Sequence, residues 1–215
     1  SYGHSLHGAA FDEGPRQAAH LMPGMSPQVH FKVAGLTAEA QAFFDQGITQ
    51  LHGFWYFEAE RSFRQVAMLA PDCAMAYWGM ALANVETVER AARFIASAVE
   101  RSASAPADEQ AWIDAWARYY KVDDAWRAEL RSGDAERTKR AKDELAKANQ
   151  QRDKAVKEPL AKQLIKDLGT IVHEHPGDIE AKALLALQIW QAYEWGGGIP
   201  ITSHVAVDAL LDQGL

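Results

Sequence analysis

Apolar residues recur at helical spacing along nearly the whole chain, and no stretch alternates strictly between apolar and polar for long. That pattern predicts an all-α fold. Helices are expected over about 37–52, 55–70, 74–86 and 88–102, the first opened by Thr37 as N-cap with Glu39 in its first turn. Pro106, with Asp108 and Glu109, opens another in which Trp112, Ile113, Trp116 and Tyr120 share one face. Between Ser132 and Glu158 the charges are mixed and large apolar residues few, so a solvated helix or helical extension is expected there. Helices over about 158–174 and 178–194 follow, then GGGIPITS as a loop, then a short helix from about 204.

The first 35 residues read differently. Gly3, Gly8, Gly14, Pro15, Pro23, Gly24, Pro27 and Gly35 interrupt any long helix. Yet Phe11, Leu21, Met22, Met25, Phe31 and Val33 need burial, so the segment is no polar tail. The expected organisation is an extended N-terminal arm over 1–35 and one helical domain over 36–215.

The most informative stretch is GITQLHGFWYFEAERSFRQVAMLAP, from Gly47 to Pro71. Gly47 and Ala59 are small where two antiparallel helices approach closely, Phe63 fills the space one turn further on, and Pro71 stops the second helix. A new helix follows at once, AMAYWGMALA, in which Tyr77, Met80 and Ala81 supply an aromatic, a long apolar and a small residue in register. An ordinary amphipathic hairpin with a fortuitous glycine is the plainer alternative. A degenerate third copy has Pro176 at the closing position, Leu168 in the aromatic's place and Leu185 with Ala186 as the next apolar and small pair; Leu164 and Lys182 depart from it.

These offsets are those of the 34-residue tetratricopeptide pattern. The stretch QAFFDQGITQLHGFWYFEAERSFRQVAMLAPDCAMAYWGMALANV resembles the opening of bacterial tetratricopeptide-type proteins, many of them exported and without assigned activity. The likeness is strongest across residues 36–90 and weaker at 158–215. It implies antiparallel helix-turn-helix pairs stacked as a short right-handed solenoid, with further repeats downstream of the abrupt ending and an exported, periplasmic location. It also implies a groove lined by Gln41, Phe44, Ile48, Leu51 and His52 of the first pair, Met75, Trp78, Leu82 and Val85 of the second, and Glu180, Ala183, Leu187 and Trp190 of the third. Gln46 stands where the repeat prefers leucine and Gln50 where it prefers an aromatic.

That set is apolar, without the Lys, Arg and Asn that grasp a peptide carboxylate. An apolar groove requires cover. Either a partner's hydrophobic segment supplies it, or the chain's own arm does with Leu21, Met22, Met25 and Phe31, the arm being slightly preferred because its apolar residues are otherwise unexplained; an equal alternative is that the groove side chains are ordinary core between helices.

Composition narrows the chemistry. With 215 residues, 48% of them hydrophobic, the chain can bury one sizeable core, and its net charge of −7 argues against a nucleic-acid surface. No apolar run approaches the roughly 20 residues of a membrane span. Cys73 is the single cysteine, which excludes an intrachain disulfide and reads best as a structural thiol. Imidazole and thioether groups at His20, Met22, Met25 and His30, with His4 and His7 before them, would suit copper, although their spacing fits no motif and solvated arm residues are the plainer explanation. His173 and His175 point to different sides of a helix end, where the helix dipole accounts for them. Glu58 and Glu60 lie on different helix faces and make no acid–base pair. No phosphate loop, dinucleotide fingerprint, HExxH or CxxCH is present. The expected function is therefore a non-catalytic protein-interaction scaffold with no cofactor, and the alternative is a periplasmic copper-handling protein using the His/Met arm.

Overall fold

The computed structural model describes residues 19–23, 29–196, 207–209 and 212, with side chains described as far as Trp190 in the last long helix. Met25, the first eighteen residues and most of the expected GGGIPITS loop lie outside the described residues. Among the described residues there is no strand. The chain forms α1 (Ala38–His52), α2 (Tyr56–Leu69), α3 (Ala74–Leu82), α4 (Val88–Arg101), α5 (Ala107–Tyr119), α6 (Asp124–Leu130), α7 (Ala135–Gln150), α8 (Lys154–Glu174) and α9 (Ile179–Gly196). Residues 207–209 and 212 are helical as well.

Local chemistry sets the boundaries. Thr37 caps α1, its hydroxyl accepting the Ala40 N–H at 3.2 Å. At the other end Phe54 adopts φ +57°, and the Trp55 N–H returns to the Gln50 carbonyl at 2.8 Å, closing the helix through a left-handed residue. α3 ends at Leu82 rather than at the expected 86. The Asn84 side chain donates to the Met80 carbonyl at 2.8 Å, so a side chain takes the place of the next helical turn. The stretch from Ser132 to Glu158, expected as a solvated helix or helical extension, is divided between α7 and the start of α8. Asp134 and Asp153 open these two, as Asp123 opens α6 just before them, each accepting an amide of the first turn that follows. α8 thus begins at Lys154, before the expected 158, and carries Pro159 inside it.

Neighbouring helices pack in pairs: α1 on α2, α3 on α4, α8 on α9, with α2 against α3 and α5 against α8. The small residues explain how closely. The Phe63 ring on α2 lies between Gly47 of α1 and Gly79 of α3, where an added Cβ would stand 2.7 Å and 2.6 Å from it. Gly79 is the small residue that this ring requires on α3, while the in-register Ala81 is buried as well. α1, α3 and α5 also touch in succession, so their inner sides form one continuous face.

α7 is only partly the solvated helix that its composition suggests. Thr138, Ala141, Leu145, Ala146 and Asn149 are buried, and the helix packs on α4 with Arg93–Asp143 (3.3 Å) and Lys142–Glu100 (2.8 Å) at its rim. Glu60 has a different fate from Glu58. It is buried among Arg64 (2.7 Å), Arg90 and the Asn84 amide (2.8 Å), whereas Glu58 pairs locally with Arg61. A carboxylate so enclosed needs these partners, since removing one would leave a charge without compensation.

Candidate binding groove

The inner face of α1, α3 and α5 is covered by an extended stretch of the same chain, residues 29–34, and the cover begins with one ring. Phe31 is buried with centroid distances of 5.6 Å to Phe44, 5.5 Å to Trp78 and 5.5 Å to Trp112, all at tilted angles. Trp78 and Trp112 meet edge to face at 5.5 Å, and Phe44 meets Phe63 likewise at 5.2 Å. Such offset contacts add to the burial of aromatic area. Two residues on, Val33 is buried too, while His30 and Lys32 are exposed, giving the alternation of an extended strand.

An extended backbone has no partners of its own, and here side chains supply them. The Gln41 carboxamide accepts the Val33 N–H at 3.0 Å through Oε1 and donates from Nε2 to the Phe31 carbonyl at 2.8 Å. The Phe31 N–H donates to Asp45 Oδ1 at 3.1 Å, and the Ala34 N–H to Glu109 Oε1 at 2.6 Å. Burial is the main force raising the Glu109 carboxyl above its usual range; the Ala34 N–H opposes it and Asp108 adds to it. The His30 ring lies 2.8 Å from Asp45 Oδ2. Beside Phe31 and Trp112 a cavity of about 640 Å³ runs to the α8–α9 turn, bounded there by Glu174, Asp178 and Glu180.

The residues assigned to the groove from sequence divide into two sets. Phe44, Ile48, Leu51, Met75, Trp78 and Leu82 are buried within one core that also holds Phe31 and Val33. Leu187 is half-buried and Trp190 is about half exposed, so these two do not join that buried set. His52 pairs with Glu180 at the start of α9, another residue assigned to the groove, and joins the first helix to the last long one. Trp112 and Glu109 belong to the face but were not assigned to it, because α5 follows an SASAP break and its aromatic stripe reads equally as interior.

The copper candidates are spread out by other contacts. His20 is exposed and its carbonyl accepts from Gln46 Nε2 at 3.1 Å. Met22 Sδ accepts from Gln50 Nε2 at 3.4 Å, His30 faces Asp45, and Met25 lies outside the described residues. Among the described residues no group of three or more His, Cys, Asp or Glu side chains is arranged to hold a metal ion. Cys73 is half-buried, and its thiol is pushed up to about 11, chiefly by burial, which leaves little thiolate at neutral pH.

No protein-family model, no curated protein and no solved structure matches the chain. The reading of this face therefore rests on its own geometry. Among the described residues no helix is long and apolar enough to cross a membrane.

Gln46 and Gln50, the two departures from the repeat, are buried in this region. Gln46 donates to Ser62 Oγ at 3.0 Å and Ser62 donates to Gln50 Oε1 at 2.7 Å, while both glutamines also reach the stretch at 20–22. Polar side chains in an apolar helix face are costly unless bonded, and the extended stretches provide those bonds.

Proposed function

We propose that the chain is a non-catalytic protein-interaction scaffold. Pairs α1–α2, α3–α4 and α5–α8 are successive units of a short, right-handed tetratricopeptide-like solenoid; α6–α7 is an insertion packed on α4, and α9 starts the next unit. Its working surface is the inner face of α1, α3 and α5, which holds an extended, apolar polypeptide. The observation that carries this reading is the seat of residues 29–34: an aromatic box around Phe31, with three amides of the extended stretch accepted by Gln41, Asp45 and Glu109. A face built for helix packing alone would have no use for acceptors there, since a helix satisfies its own backbone.

The test removes the cover. A chain lacking residues 1–33 is expected to bind a hydrophobic dye and, saturably, a permanently unfolded polypeptide such as a reduced and carboxymethylated protein, whereas the whole chain binds both far less. A truncated chain that stays soluble, takes up no dye and ignores the unfolded polypeptide would contradict the scaffold. Copper handling by His20, Met22, Met25 and His30 gains nothing from the contacts of His30 and Met22. It would return to consideration if the whole chain took up one copper ion stoichiometrically.

A further inference from the structure

Two glutamines of α1 hold two separate stretches of chain in the same manner. Gln41 donates to the carbonyl of Phe31 and accepts the amide of Val33; Gln46 donates to the carbonyl of His20 and accepts the amide of Met22 at 2.7 Å. In each case one carboxamide bonds the carbonyl of residue i and the N–H of residue i+2, the pair that a residue of a parallel neighbouring strand would take. The residues between, Lys32 and Leu21, point outwards and are exposed. This device reads backbone, not sequence. Sequence is read on either side of Lys32, by the box around Phe31 and the buried site of Val33.

Gly35 sits at the root of the covering stretch with φ +72° and open space where a side chain would be, in an exposed turn before Leu36. Residues 29–34 are thus anchored by side-chain contacts and joined to α1 through an exposed glycine turn. We propose that they are an exchangeable internal ligand, and that this face takes in their place an extended partner segment reading aromatic, any residue, β-branched, with Gln41 fixing its register. The inference rests on the scaffold reading. It adds what the partner must look like and what it must displace. A donor side chain just before the aromatic, as at His30, would meet Asp45 Oδ2.

The probe is a labelled peptide with the sequence of residues 29–36, VHFKVAGL, titrated onto the full chain in three forms: unaltered, Phe31→Ala, and a chain with a protease site inserted after Gly35 and cut once folded. Phe31→Ala is expected to bind the peptide one to one, and the unaltered chain at least about tenfold more weakly, because its own segment competes. Adding Gln41→Leu to Phe31→Ala is expected to weaken binding about tenfold, the cost of two backbone groups left unpaired. Should Phe31→Ala fail to fold, the cut chain carries the test: the peptide is expected to displace the fragment ending at Gly35. Equal affinity for the unaltered and Phe31→Ala chains would overturn the exchange. A peptide with alanine at the aromatic and β-branched positions binding as well as the original would overturn the sequence rule, yet leave the scaffold standing if unfolded polypeptide still binds. Dimers of the cut chain that exclude the peptide would overturn the partner in favour of a second copy.

Discussion

Two faces of this molecule are covered by other parts of the same chain, and they are covered in opposite ways. α4 is covered by α7, a helix whose backbone bonds are internal; Ala92 and Ala96 are buried on the one, Ala141 and Leu145 on the other, and ion pairs close the rim. The face of α1, α3 and α5 is covered by residues 29–34, which are extended and have backbone groups to satisfy. Gln41, Asp45 and Glu109 answer that need, and Phe31 and Val33 supply the apolar area. The difference lies in the backbone: an extended cover has amides and carbonyls to satisfy along its length, and polar side chains of the face beneath supply their partners, whereas a helical cover needs such help only near helix ends.

Phe31→Ala strikes the extended cover hardest. It leaves a cavity among Phe44, Trp78 and Trp112 and is expected to lower unfolding stability by about 3–5 kcal/mol in a urea titration, less if residues 29–34 simply detach. Gln41→Leu comes next, at about 1–3 kcal/mol, since it strands the Phe31 carbonyl and the Val33 amide without adding strain. At the other face, Lys142→Ala is expected to cost below about 1 kcal/mol, because its pair with Glu100 is partly exposed and screened. A Lys142 effect as large as that of Gln41 would erase the contrast between the two covers.

The smallest effect is a pH dependence. Burial raises the Glu109 carboxyl in the folded chain, so the folded state holds that proton more tightly than the unfolded state does. From this group, stability should rise as pH falls from neutral through the raised folded value, and level off near the ordinary carboxylate range. Glu109→Gln keeps an oxygen for the Ala34 N–H and is expected to remove that increment, which unfolding curves at several pH values would show.

Much of the architecture was legible in the pattern of residues. Gly47, Phe63 and Pro71 mark a close helical hairpin because each has one steric role, and the structure places the Phe63 ring against Gly47. The buried character of Phe44, Ile48 and Trp78 follows from the same periodicity. The charged stretch at 132–158 was harder, since short helices begin wherever an aspartate accepts an amide, and Asp134 and Asp153 do so without any change in composition. Gly79 was not singled out, because its contact with the Phe63 ring crosses between two helical pairs, which a fixed repeat length does not show. Trp112 and Glu109 escaped assignment because joining the face requires knowing that α5 lies beside α3, a long-range fact that helical spacing does not encode. Gln46 and Gln50 were visible as departures, but their bonds to residues 20–22 could be found only in three dimensions.

The most direct measurement is residue-resolved amide hydrogen exchange over 29–36 by NMR, in the unaltered chain and in Gln41→Leu. The amides of Phe31, Val33 and Ala34 should be protected while the exposed Lys32 exchanges fast, and Gln41→Leu should release Val33 most. Uniform fast exchange across all four amides in the unaltered chain would contradict the seating of this stretch on the inner face.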